Sequence, residues 1–213
     1  MKIFKITFLF FFISSCKTSV NEVNIGNQIW LKNNLDVIEF NNGDKIQEAN
    51  DLMKWEYCGI HQIPAWCYVD SNSNTNSVYG KLYNWYAVND KRGLAPKGWR
   101  IPTKNDFEIL INYLGGEDIA GSKLKSINGW ADSKNINDYG TNISGFNALP
   151  SGARYGGILF GGYSASTYNC FFWTLTQKNK DSAYYAPLDF QWPGCYVTES
   201  TKSWGLSVRC VKN

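Results

Sequence analysis

The spacing of hydrophobic and polar positions changes several times along the chain, and each change predicts an element. The sharpest signal is IPTKNDFEILINYLGG (101–116), where Phe107, Leu110, Ile111 and Leu114 recur at i, i+3, i+4 and i+7. That spacing gives an amphipathic helix with one apolar stripe. Thr103 stands where an N-cap belongs, and Asp106, three residues on, can reach back as in a capping box, although Glu is the usual partner there. Pro102 lies just upstream, where its missing N–H costs nothing, and Gly115 can take the positive φ that ends the helix. Glu117 to Lys125 predicts a further turn or two, interrupted at Gly121. Residues 78–88 (VYGKLYNWYAV) place Tyr79, Leu82, Tyr83, Tyr86 and Ala87 at helical spacing and predict a second helix, closed by NDKRG (89–93).

Elsewhere the pattern is shorter. Residues 25–31 (IGNQIWL) alternate, with Trp30 facing away from Ile25, Ile29 and Leu31, and predict a short, partly buried strand. Asn41-Asn42-Gly43-Asp44 is a turn. Residues 52–69 carry Trp55, Tyr57, Trp66 and Tyr68 and are expected to be extended and packed, followed by the polar loop DSNSNTNS (70–77). From Phe146 onward, short apolar runs alternate with Gly and Asn: FNALP, GGILFGG, CFFWTLT, SAYYAPLDF, CYVTES and WGLSVRCVKN. These predict strands of a small antiparallel arrangement. With no repeat and no composition break, the fold class is α+β in one domain, helices ahead of a late, loop-rich sheet.

The first residues read as an address. Lys2 and Lys5 precede the apolar run Ile6–Ile13, too short for a bilayer span, and Ile13-Ser14-Ser15-Cys16 resembles a lipobox. The expectation is a lipoprotein signal peptide over 1–15, a lipidated Cys16 with a tether to residue 22, and a domain over 23–213. An ordinary signal peptide cut near Ser15, with Cys16 a bystander, is the other reading. Acyl chains contribute about 0.8 kcal/mol per buried CH₂, so two or three anchor firmly. The expected location is the cell envelope, at either face of the outer membrane, with the membrane as a partner through the lipid.

Composition narrows the chemistry. Hydrophobic residues at 44% against 18% charged exclude intrinsic disorder. The net charge of +3 is too small to argue for nucleic acid, and removing residues 1–15 takes two Lys with it. A single His, His61, leaves little for a metal site or a His-based relay. No CxxC occurs, and beyond Cys16 five cysteines remain, Cys58, Cys67, Cys170, Cys195 and Cys210, so at least one stays free or pairs between chains. Cys170 and Cys195 sit in neighbouring predicted strands, and a bridge there would stabilise by about 3–4 kcal/mol. Only Cys58, three residues from His61, approaches the pattern of a reactive thiol. Asp106, Glu108, Glu117 and Asp118 could supply a carboxylate pair for glycoside hydrolysis, but Asp106 and Glu108 already have a role at a helix start. DSNSNTNS offers oxygen ligands but lacks the Gly and the bidentate Glu of an EF-hand, so a solvated turn is expected. Gly156-Gly157 and Gly161-Gly162 read as turn glycines, not a phosphate loop. No cofactor or metal is expected. The aromatics remain: nine Trp, thirteen Tyr and twelve Phe. Trp173, Tyr184, Tyr185, Trp192 and Tyr196, in the late region, are the candidate ligand contacts, while Trp85, Trp99 and Trp204 are assigned to the core.

Several blocks occur in a fixed order: IGNQIWLKNNLDV (25–37), YGKLYNWYAVNDKRGLAPKGWRIPT (79–103), DFEILINYLGG, GFNALPSGAR (145–154) and GLSVRCV (205–211). Together they resemble the Fibrobacter succinogenes major paralogous domain, a family of exported proteins and lipoproteins common in the Bacteroidetes group, over about residues 23–213. The family brings no established activity. The GWRIPT and SVRCV blocks also resemble the formylglycine-generating-enzyme type of C-type-lectin-like fold. That likeness implies one or two helices packed on a small twisted antiparallel sheet, long loops and neighbouring chain ends. The family often carries a Cys at the position of Ala95, which the resemblance pairs with the Cys of SVRCV. Without it, Cys210 needs another partner or stays free; the partner the resemblance suggests is Cys67, whose AWCYVD run looks like another family block, with Cys58 then left over. Residues 163–200 diverge from the family pattern.

The function expected from signal, resemblance and aromatic density is an exported, lipid-anchored, non-enzymatic binding or interaction module for a glycan or an envelope protein. Two alternatives stand beside it: an extracytoplasmic hydrolase or oxidative enzyme using a Cys or carboxylate, and a structural envelope lipoprotein without a ligand.

Overall fold

The predicted helix over 101–116 forms as α4, Lys104–Tyr113. Thr103 Oγ1 accepts from the Asp106 N–H at 3.2 Å, and Asp106 Oδ2 accepts from the Thr103 N–H at 2.7 Å, so the capping box closes in both directions. Arg100 adds two donors to the same carboxylate, Nη2 to Oδ1 at 2.8 Å and Nη1 to Oδ2 at 2.5 Å. Burial pushes the Asp106 carboxyl up, but the bonds from Arg100 and Thr103 outweigh it and hold the pKa at about 2. A carboxyl depressed in the folded state contributes stability above its unfolded pKa, near 3.8, and loses it as pH falls through the folded value. About 2 kcal/mol of stability is therefore expected to disappear between roughly pH 4 and 2. Denaturant titrations across that range should show the loss, and Asp106→Asn should flatten it.

The computed structural model describes residues 21–132, 139–156, 162–164 and 166–213. The leader, Cys16 and the strand expected at ILF (158–160) lie outside the described residues. No helix among the described residues is long and apolar enough to cross a membrane.

Three expected elements take another form. Residues 25–31 are the end of a hairpin, β1 (Glu22–Ile25) and β2 (Gln28–Leu31), turning at Gly26 with φ +58. Residues 52–69 are not extended throughout. Asp51 accepts from the Lys54 N–H and caps α1 (Leu52–Ile60), whose Trp55 and Cys58, one turn apart, are buried. Only Ala65–Tyr68 is a strand, β4, lying parallel to β3 (Gln47–Glu48). The helix expected over 78–88 is broken in two places. A Cβ at Gly80, φ +72, would stand 2.7 Å from the Leu35 carbonyl oxygen, and Asn84 caps a new turn. Between them lies β5 (Lys81–Tyr83), paired with β4; α2 (Asn76–Tyr79) precedes it and α3 (Trp85–Val88) follows. The turn glycine Gly115, φ +105, follows expectation, and α5 (Ala120–Leu124) supplies the further turn expected after it, running through Gly121 instead of being interrupted there.

The remaining strands are β6 (Trp99–Arg100), β7 (Ala153–Arg154), β8 (Tyr163–Ser164), β9 (Asn169–Gln177), β10 (Ser182–Asp189), β11 (Thr198–Thr201) and β12 (Val211–Lys212). The described strands form four small sheets, ordered β1-β2-β12-β6, β11-β10-β9, β3-β4-β5 and β7-β8. All pairings except β3–β4 are antiparallel, so the fold is α+β.

Three apolar cores fill the space between these sheets. The first joins Trp30, α4, Phe146, Phe172 and Leu188; the second holds Tyr83, Trp85, Trp173, Leu206 and Val208; the third holds Trp55, Cys58, Cys67 and Leu82. Arg209 ties chain start to chain end. Its Nε and Nη2 donate to Asn34 Oδ1 at 3.1 and 2.6 Å, and Nη1 donates to the carbonyls of Leu31 and Phe146 at 3.1 and 2.5 Å. Burial pushes its pKa down to about 10, and the Phe146 ring lies 4.4 Å from the guanidinium.

The cysteines stand apart from expectation. Cys58, Cys67, Cys170, Cys195 and Cys210 are all free, buried thiols, so neither the Cys170–Cys195 nor the Cys67–Cys210 bridge is present. Cys67 lies in the third core and Cys210 in the second. Cys170 instead meets the Ser151 hydroxyl at 3.3 Å, and that hydroxyl meets Ser207 at 2.7 Å.

Candidate functional site

The β9–β10 pairing decides which aromatics reach the surface. Tyr185 lies opposite Trp173, Ala186 opposite Phe172, Pro187 opposite Phe171 and Leu188 opposite Cys170. Side chains alternate across a strand. Cys170, Phe172, Ala186 and Leu188 therefore face the first core, and Phe171, Trp173 and Tyr185 the opposite side. On that side the rings meet edge to face, Phe171 and Tyr185 with centroids 5.7 Å apart and Trp173 and Tyr185 at 6.1 Å.

Backbone pairing brings two more rings. The Arg154 N–H donates to the Gly205 carbonyl at 2.8 Å and the Gly205 N–H returns to the Arg154 carbonyl at 2.7 Å. Their neighbours Tyr155 and Trp204 then touch at 4.7 Å, and Trp204 lies 6.4 Å from Tyr185. Burial raises the Tyr185 phenol to about 12, with Tyr196, Tyr155 and Glu199 adding to the shift through their charges. Trp192 packs edge-on to Tyr196 at 5.3 Å. Phe171, Tyr155, Tyr185, Trp192 and Trp204 are half-buried and Tyr196 is exposed. The result is a surface of ring faces and edges bordered by three phenol groups; Glu199, opposite Tyr184 in the β10–β11 pairing and 3.6 Å from Lys178 Nζ, lies on the other face.

Of the five expected contact residues, three fall here: Tyr185, Trp192 and Tyr196. Trp173 does not, because it is fully buried in the second core and its Nε1 donates to the Tyr83 carbonyl at 2.8 Å. Tyr184 points the other way along β10, with Lys104 Nζ at 5.1 Å and Lys178 Nζ at 5.4 Å from its ring. Tyr155, Phe171 and Trp204 belong to the surface although the sequence singled out none of them as a ligand contact. They come from three separate segments, and only strand register would have grouped them. Trp85, assigned to the core, is buried there, and Trp99 is half-buried.

The groups considered for catalysis stand in other surroundings. Cys58 faces the third core, where burial pushes its thiol up, while His61 sits at the exposed end of α1 with its ring 4.2 Å from Tyr57. Burial likewise raises Cys67 and Cys210, each to about 12, and also Cys170 and Cys195. A nucleophilic thiol needs the opposite shift. Asp106 is bound by Arg100, Glu108 pairs with Lys104 Nζ at 3.0 Å, and Glu117 and Asp118 are exposed in the turn after α4. Among the described residues no three His, Cys, Asp or Glu side chains gather as a metal site. In the 70–77 segment, Asp70 Oδ2 accepts from Ser166 Oγ at 2.6 Å.

Small antiparallel sheets and short helices define an α+β domain. The chain belongs to the Fibrobacter succinogenes major domain family, whose profile matches residues 23–212. No curated protein and no solved structure matches it.

Proposed function

We propose that this chain is an exported, lipid-anchored binding module of the cell envelope, without catalytic activity, that holds a carbohydrate on the aromatic surface of its late sheet. Cys16 would carry the lipid that attaches it to the outer membrane. The observation that carries the reading is the run of touching rings Tyr155, Trp204, Tyr185 and Phe171 on one side of the late sheet, with the Trp192–Tyr196 pair in the segment that leads into β11. Ring faces stack on the C–H faces of sugars, while phenol hydroxyls meet sugar hydroxyls. That alternation of apolar and polar groups suits a glycan better than the apolar centre of a protein interface. A C-type-lectin-like arrangement is part of the proposal, supported by β12 joining β2 so that the two ends of the described domain share a sheet.

The test is a glycan array with the full-length protein in detergent, followed by titration of whatever sugar it retains. Tyr196→Ala and Trp204→Ala should each weaken binding at least tenfold, about 1.4 kcal/mol, whereas Tyr184→Ala should leave it within twofold. A blank array, or equal binding by all three variants, would defeat the proposal.

A further inference from the structure

A cleft of about 470 Å³ opens on another part of the molecule, between the end of α1, α3 and the segment after β11; its lining includes Gln62, Trp85, Asn89, Asp90, Gln177 and Lys202. Lys202 is only 5% exposed. Its Nζ donates to Gln177 Oε1 at 3.0 Å and to the Lys180 carbonyl at 2.8 Å, and stands 4.6 Å from the centre of the Trp85 ring. Every one of these partners is neutral; the Asp181 carboxylate acts on the ammonium through its charge, but among the described residues no carboxylate lies within ion-pair distance of it. The carboxylate in the cleft, Asp90, is already held by Arg92, Nη2 to Oδ2 at 2.8 Å and Nε to Oδ1 at 2.9 Å. A second lysine, Lys91, is exposed at the rim.

A nearly buried ammonium with neutral partners favours an incoming anion, because a charge withdrawn from water is best compensated by an opposite one. The rest of the lining is amide and ring. Gln62 is held in the left-handed region, φ +55, at the position after α1 where glycine is the usual occupant, so its amide is kept there at a conformational cost. We infer that this cleft is a second ligand site, made for the carboxylate of an acidic sugar, with Lys202 as its charge partner and the amides of Gln62, Asn89 and Gln177 meeting the ring hydroxyls. The site shares no side chain with the aromatic surface, although Gln177 ends β9 and Lys202 follows β11 of the same sheet.

The experiment is calorimetric titration of the full-length protein with trigalacturonate, its methyl ester and inorganic phosphate, at low salt. Trigalacturonate should bind at least tenfold more tightly than either control. Lys202→Met should weaken it tenfold or more. Gln62→Gly should weaken it about threefold while raising the melting temperature, a combination that a purely structural glutamine would not produce. If Lys202→Met fails to fold, Gln62→Gly and the ester comparison still decide. Trp204→Ala should leave trigalacturonate affinity within twofold, which separates this cleft from the aromatic surface. Equal affinity for the ester or for phosphate, unchanged affinity in Gln62→Gly, or loss of binding in Trp204→Ala would each overturn the assignment.

Discussion

Replacing Trp173 with Ala is expected to destabilise the protein by about 4 kcal/mol and to lower its melting temperature by roughly 10 °C. Sequence position makes Trp173 look like a ligand contact; the strand register makes it a keystone of the second core. It is fully buried, its indole N–H donates to the Tyr83 carbonyl at 2.8 Å, and its ring packs edge-on to Tyr185. Truncation would open a cavity and take one of two donors from the Tyr83 carbonyl, which keeps the Leu206 N–H at 3.0 Å, so the cavity supplies most of the loss. Trp173→Phe should recover most of the cavity cost but not the hydrogen bond, leaving a deficit of about 1 kcal/mol. Denaturant midpoints of the two variants would measure both. Loss of stability below 1 kcal/mol in Trp173→Ala, with sugar binding abolished, would show that the side chain serves the ligand after all.

How much of the molecule could be read from its residues depended on the range of the interactions involved. The α4 helix was legible because its signals are local: the Thr103–Asp106 box and the stripe from Phe107 to Leu114 lie within twelve residues. The α1 helix was not, because its aromatic residues resemble a packed strand and its cap is a single aspartate, Asp51. The segment 78–88 carried a helical spacing by coincidence. Gly80 sits against the Leu35 backbone and Asn84 offers its side chain to the Ala87 N–H, and neither constraint shows in the period of apolar residues. CFFWTLT, SAYYAPLDF and the end of CYVTES were legible as strands, whereas FNALP forms none and WGLSVRCVKN only the two-residue β12; the aromatic surface was not legible, since grouping Tyr155, Tyr185 and Trp204 needs the Arg154–Gly205 pairing and the β9–β10 register. The cleft around Lys202 was invisible for a similar reason: Gln62, Trp85, Gln177 and Lys202 are brought together only by the fold.

Replacing Gly121 with Ala is expected to destabilise the protein by about 3 kcal/mol, against the sign that helix propensity gives. Gly121 lies within α5, and Ala in a helix interior is favoured over Gly by about 1 kcal/mol. A Cβ at this position would stand 1.9 Å from the Gly194 carbonyl oxygen, 2.6 Å from its carbon and 2.8 Å from the Pro193 oxygen. All three are backbone atoms of a segment that cannot step aside freely. The Ser122 N–H donates to the Pro193 carbonyl at 2.7 Å and the Cys195 N–H to the Glu117 carbonyl at 2.8 Å. Lys125, fully buried, reaches the carbonyls of Asp189 at 2.8 Å and Trp192 at 2.9 Å. Retreat of the 189–195 segment would break several of these bonds, at about 1 kcal/mol each and more for those to the ammonium, which exceeds the gain in propensity. The same segment carries Trp192 and leads into Tyr196, so the substitution should also weaken sugar binding without touching a ring. Thermal denaturation and sugar titration of Gly121→Ala would measure both effects. A variant more stable than the parent would mean that α5 and the 193–195 backbone do not meet as closely as this, and that the edge of the aromatic surface is positioned by something else.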